Sequence, residues 1–201
     1  MNKIKLTLVT STISLLLLSG CSSKVESIDV YNDNADQMMS LDYRDFNKAA
    51  GEAVQSMLKS PALDKKDGGR FILAISDVKN DTMQHIDTDQ LIKKIRIELL
   101  NSGKVFVTTA IGDDDKMNQK SRELRDNKEF KQSSVAKEGT LIAPDMSLSG
   151  KILQRNLKMS KDKQQVEYYF MLTLTDLKKG FALWEGETFI GKRGSAKSVA
   201  W

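Results

Sequence analysis

The chain has 201 residues and a formal net charge of +4, with 31 Lys and Arg interleaved among 27 Asp and Glu rather than gathered into one stretch. That balance gives no case for a nucleic-acid partner, which would call for a basic patch or stripe. One cysteine, Cys21, and one histidine, His85, exclude an internal disulfide and a cysteine-based metal cluster, and leave few parts for nucleophilic catalysis.

The amino terminus is the most specific passage. Lys3 and Lys5 make a short basic start, Leu6 to Leu18 form an apolar run broken only by Thr and Ser, and Ser19, Gly20 and Cys21 follow at once. A membrane-spanning helix wants about 20 apolar residues, more than this run supplies, so cleavage fits better than spanning. Leu18-Ser19-Gly20-Cys21 resembles the bacterial lipobox. The resemblance implies that the Cys21 thiol is acylated, that residues 1–20 are removed as a signal peptide, and that the mature chain is held at a membrane by lipid. Two or more acyl chains, at about 0.8 kcal/mol per buried CH₂, hold a protein stably. Ser22 in place of Asp resembles the enterobacterial signal for the outer membrane, with the domain expected to face the periplasm and surface exposure left open. Lys3 and Lys5 leave with the leader, so the mature chain is close to neutral.

Residues 21–40 are rich in Ser, Asp, Asn and Glu and are expected to form a flexible tether. Such a segment reaches roughly 70 Å when extended and about 25 Å on average as a coil. Residues 41–201 are expected to form one globular domain. Phe46, Ala50, Ala53, Val54, Met57 and Leu58 recur at helical spacing, and Ser60-Pro61 is a natural stop. Asp67-Gly68-Gly69 turns the chain into Arg70–Ser76, a nearly continuous apolar run of the kind found in a covered strand. A polar loop, Asp77 to Asp87, leads to a second helical stripe of Leu91, Ile92, Ile95, Leu99 and Leu100, closed by Asn101-Ser102-Gly103. Lys104–Thr109 is the next strand, and the strand, helix, strand order predicts a parallel pair.

Asp113 to Lys137 is dominated by charge and predicts one or two weakly amphipathic helices. Asp145–Met159 and Val166–Leu177 both alternate, joined by Ser160–Lys163 as a hairpin, and Lys178-Lys179-Gly180 turns into Phe181–Trp184 as a third antiparallel strand. The predicted fold class is α/β (α+β): a single domain with a mixed, four- to five-stranded sheet flanked by helices and ending in an antiparallel meander.

The run Phe71–Thr82, the helix end and strand Glu98–Val107, and the closing stretch Leu174–Glu187 with Trp184 in its last strand resemble the LpoB-type activators of penicillin-binding proteins. The Asn80-Asp81-Thr82 loop and the Asn101-Ser102-Gly103 cap also resemble the TolB N-terminal domain and CsgG-like lipoproteins. The LpoB resemblance implies a non-catalytic outer-membrane lipoprotein that docks on a bifunctional (class A) penicillin-binding protein and activates it allosterically in peptidoglycan synthesis. Family members use a long Pro-rich tether, whereas this chain has no proline before Pro61. The alternative of a different class is a surface-exposed envelope lipoprotein acting as an adhesin or structural component.

No residues beyond Cys21 are assigned a site, and the surface that meets the synthase stays unassigned. His85 is expected at the surface, Asp113-Asp114-Asp115 as an acidic helix start, and Trp184 in sheet packing. Gly191–Ser198 is expected as a basic tail, with Lys192, Arg193 and Lys197 free to lie against anionic lipid or glycan. Adjacent Tyr168 and Tyr169 must point to opposite sheet faces. No cofactor, metal or small-molecule substrate is expected.

Overall fold

The computed structural model describes residues 37–111 and 115–198; residues 1–36 and with them Cys21, Asp113 and Asp114 lie outside the described residues. Helix α1 (Tyr43–Lys59) starts at a capping box, in which Asp42 accepts from the Arg44 and Asp45 amides while Asp45 accepts from the Asp42 amide at 2.8 Å. It buries Ala49, Ala50, Ala53, Val54 and Met57 along one stripe, and Ser60 ends it ahead of Pro61. Strand β1 (Phe71–Asp81) leads to α2 (Thr88–Ser102), which is capped by Asp87 and ended by Gly103 at φ 66, a left-handed position suited to glycine. Strand β2 (Val105–Val107) follows, then a short helix α3 (Lys116–Glu123), and last the long strands β3 (Met146–Lys158), β4 (Lys163–Asp176) and β5 (Phe181–Ser195).

These strands form a five-stranded mixed sheet in the order β2-β1-β3-β4-β5. The predicted parallel pair is present, with Phe71 opposite Val105, and β1 also runs parallel to β3, with Leu73 opposite Met146. The rest is an antiparallel meander. Burial along β4 alternates from Val166 through Tyr168, Phe170, Leu172 and Leu174, so one face of the sheet is packed and the other is open. On the packed face those residues, with Leu73, Leu148 and Ile152, meet the stripes of α1 and α2 in one core. Phe46 meets Phe170 edge to face at 6.0 Å. Each fully buried Leu or Ile of that core contributes about 1.5–3 kcal/mol by leaving water.

Two strands run further than their apolar patterns. Strand β1 continues past Ser76 to Asp81, because a bulge between Ile75 and Val78 resets the register and Val78 to Asp81 then pair with Gly150 to Leu153. Past the bulge only Val78 is buried, so this half of the strand carries no apolar run. Strand β5 continues past Trp184 to Ser195, and the expected basic tail at Gly191–Ser195 is sheet. Its inward positions are Trp184, Gly186, Thr188, Ile190 and Lys192, a period of two hidden by polar and small residues.

Lys192 is the telling member. Its side chain is 5% exposed, its Nζ lies 2.5 Å from Asp45 Oδ2 on α1, and it donates to the Ser40 carbonyl at 2.6 Å. A buried ammonium needs such partners, and removing one leaves the other charge desolvated and uncompensated. Asp45→Ala should therefore destabilise the domain by about 3 kcal/mol in urea unfolding, whereas Asp45→Ala with Lys192→Met should cost less than the single change. Equal costs for the two variants would remove the ion pair from this role.

Candidate functional site

The first arrangement of polar groups surrounds the point where the chain enters the domain. The Tyr168 hydroxyl, on the packed face of β4, donates to the Met39 carbonyl at 3.0 Å and accepts from Gln84 Nε2 at 2.5 Å. Gln84 in turn accepts from the Leu41 amide at 3.2 Å, and Lys192 holds the Ser40 carbonyl. The Met39 side chain lies over Gly194, where a Cβ would sit 2.7 Å from its sulfur, so the glycine admits the incoming segment. Residues from β4, β5, α1 and the loop after β1 thus grip consecutive residues of the entry segment. Burial works to raise Asp42, but Arg44, 2.7 Å from its carboxylate, and the positive charge of Lys192 outweigh it and hold the group below its usual range.

The second arrangement lies on the open face. Arg193 on β5 donates to Gln165 at 2.7 Å, Gln165 donates to Glu167 at 2.8 Å, and the Tyr169 hydroxyl donates to the same carboxylate at 2.7 Å. Tyr169 then meets Phe189 at 5.4 Å between ring centroids. The Tyr169 and Gln165 hydrogen bonds lower the Glu167 carboxyl, and the same bond to Glu167 raises the Tyr169 hydroxyl. An exposed aromatic, an Arg and ordered polar side chains on a rigid sheet suit recognition of another surface.

The residues singled out from sequence are not brought together. His85 is exposed in the loop after β1, Asp115 caps α3, and Trp184 packs at the margin of the core over Gly186. Tyr168 is fully buried and Tyr169 points to the open face. Arg193 and Lys197 are exposed, but Lys192 is not available to lipid or glycan. Among the described residues no group of three or more His, Cys, Asp or Glu is placed to hold a metal, and no helix is long and apolar enough to cross a membrane. The space enclosed by Ala49, Ala53, Leu91, Ile95 and Ile152 is about 10 Å³, the size of one water probe at most. Sequence reasoning missed the Asp45 and Lys192 pair and the role of Gln84, whose only trace was the broken alternation of β5.

Burial pushes the Tyr168 hydroxyl up from 10.0 to about 12, with the Gln84 hydrogen bond opposing and the charge of Asp45 adding to the rise. A raised acid favours its protonated form in the fold, so this contribution to stability is complete below pH 10.0 and is lost as pH rises toward about 12. In an alkaline titration followed by phenolate absorbance and circular dichroism, Tyr168 should ionise together with unfolding, and Tyr168→Phe should lack that step. Ionisation of Tyr168 in the folded chain near pH 10.0 would contradict the assignment.

The family model of the peptidoglycan-synthase activator LpoB matches residues 45–190. Among solved structures the chain is similar to the LpoB C-terminal domain from Escherichia coli, at 15% identity over 73% of this chain and 98% of that one, with a TM-score of 0.44. It is similar to the LpoB C-terminal domain from Salmonella enterica at 16% identity over 73% and 98% of the two chains, with a TM-score of 0.42. The lipoprotein GNA1162 from Neisseria meningitidis matches at 13% identity over 64% and 86%, with a TM-score of 0.36. A search of curated proteins gives no match. The family model covers most of the chain, from the first turn of α1 through the buried half of β5, and the chain belongs to the LpoB family of peptidoglycan-synthase activators.

Proposed function

We propose that the mature protein is anchored in the outer membrane by lipid on Cys21, reaches into the periplasm on a short tether, and binds and activates a bifunctional, class A penicillin-binding protein. The observation that carries this reading is the match of the activator family to residues 45–190, from the first turn of α1 to Ile190 in β5. The lipobox-like Leu18-Ser19-Gly20-Cys21 and the polar stretch after it support the anchor and the tether. Activation without catalytic parts requires that the protein bind the active conformation of the synthase more tightly than the resting one. A coupling of about 1–3 kcal/mol would raise the active population by roughly 5–150-fold at most.

The grip on Met39, Ser40 and Leu41 fixes the point at which the chain enters the domain. The lipidated full chain, purified in detergent, should bind one or more class A synthases of its own organism saturably and raise their glycan polymerisation rate. Cys21→Ala should leave that stimulation in solution unchanged and move the protein from the membrane to the soluble fraction of the envelope. Absence of binding to every class A synthase would overturn the partner, and membrane retention of Cys21→Ala would overturn the anchor.

A further inference from the structure

Strand β5 is a margin of the sheet, and it is a long one, whereas β2 at the other margin has only 3 residues. Natural proteins blunt long open edges with proline, bulges, inward charge or charged side chains on the edge itself, and on β5 the last of these are Glu185, Glu187 and Arg193. Strand β5 contains no proline, and its register shift, at Leu174/Thr175 of β4, lies before Trp184. From Trp184 to Ser195 the pairing with β4 is continuous. The one inward charge, Lys192, is already neutralised by Asp45.

The direction of the free backbone groups follows from the ladder. The Ala196 amide donates to the Asp162 carbonyl at 3.0 Å, one step beyond the pair Lys163 and Ser195. Hydrogen-bonding direction alternates along an antiparallel strand. Even-numbered residues of β5 therefore turn their N–H and C=O toward β4, and Glu185, Glu187, Phe189, Gly191 and Arg193 turn theirs outward. The side chains of those five odd-numbered residues also share the open face, and all are exposed, Phe189 to 48%.

The charges on that row are ordered: Glu185 and Glu187 come first, Phe189 stands at the centre, and Arg193 comes last. A second copy of the same strand, laid antiparallel about a two-fold axis at Phe189, sets Phe189 against Phe189, Glu185 against Arg193 at both ends, and Glu187 against Gly191. Each of these pairs joins residues whose backbone groups already face outward, so the register that matches the charges is also one that makes hydrogen bonds. A shift that centred the axis on Glu187 would set Glu185 opposite Phe189 and Glu187 opposite itself, which like charge opposes. The geometry points to a symmetric homodimer in which the β5 edges of two copies pair antiparallel about Phe189, joining the two sheets into one.

The interface is a strip two strands wide, smaller than a standard stable interface of about 1,200–2,000 Å². It therefore depends on concentration, and copies confined to one membrane meet at far higher effective concentration than copies in dilute solution. The inference does not rest on the synthase partner: it uses the edge left open among the described residues and the charge order, and it rests on the proposed lipid anchor for the concentration at which two copies meet.

Disulfide trapping in membranes from cells producing the full chain tests it. Opposed residues of a hydrogen-bonded pair have Cα atoms about 5.5 Å apart, within disulfide range. Phe189→Cys should give a covalent homodimer under a mild oxidant, while Glu187→Cys, displaced by about 13 Å from its own copy, should give little. As a second route that leaves Phe189 intact, a chain carrying Glu185→Cys and a tagged chain carrying Arg193→Cys should crosslink to each other. Arg193→Glu should lower the Phe189→Cys yield severalfold, and Glu185→Arg in the same chain should restore it. Equal trapping at Phe189 and Glu187, trapping to another protein instead of a second copy, or no rescue by the charge exchange would overturn the proposal.

Discussion

An ammonium group cannot stay charged inside an apolar layer unless carboxylate and carbonyl oxygens surround it, and Lys192 has this demand on the packed face of β5. It is met by Asp45 from the first turn of α1 and by the Ser40 carbonyl just ahead of that helix. One side chain therefore fixes the last strand to the first helix and to the segment that precedes it. Asp45 also closes the capping box of α1, so the helix start and the ion pair share a carboxylate. The phenol of Tyr168, next in the row on β4, extends the same polar seam to Met39 and Gln84. This seam lies at the edge of an otherwise apolar core, where polar groups are costly singly and rigid when all are satisfied.

The remainder of the fold follows from a sheet that is covered on one side only. Helices α1 and α2 bury their stripes against β1, β3 and β4, and the strands answer with alternate residues. Close packing between β3 and β4 needs a small residue at Gly150, where a Cβ would meet Leu172 at 2.7 Å. The uncovered face is left to side chains that order one another, from Arg193 through Gln165 and Glu167 to Tyr169 and Phe189. A surface held in this manner loses little freedom on binding, so less of the contact free energy is lost to ordering.

The sequence was legible where apolar period matched structure. The stripes of α1 and α2, apart from Leu100, which is exposed, the caps at Ser60 and Gly103, the parallel pair of β1 and β2 and the hairpin between β3 and β4 were readable from spacing. It was illegible where the inward row was not apolar. In β5 that row includes Gly186, Thr188 and Lys192, and a Lys flanked by Gly and Arg reads as a solvated tail unless the position of Asp45 in space is known. The far half of β1 failed for a related reason, since the bulge after Ile75 breaks the alternation and the pairing partner lies some seventy residues on, near Gly150. Long-range pairing of this kind leaves no local trace. The entry clamp was hidden because its acceptors are backbone carbonyls at Met39 and Ser40, which any sequence would provide.

Paired β5 edges would also settle how two copies stand relative to each other. Neighbouring antiparallel strands of one sheet are related by a two-fold axis normal to the sheet, so both copies present the same face to the same side. Helices α1 and α2 and the entry segments share the packed face, because Met39 sits over Gly194 and Ser40 is held by Lys192. Both entry segments would then lie on one side of the dimer, about 33 Å apart along the strand direction. The open faces, with their rows of Tyr169, Phe189 and Arg193, would form one continuous surface on the other side.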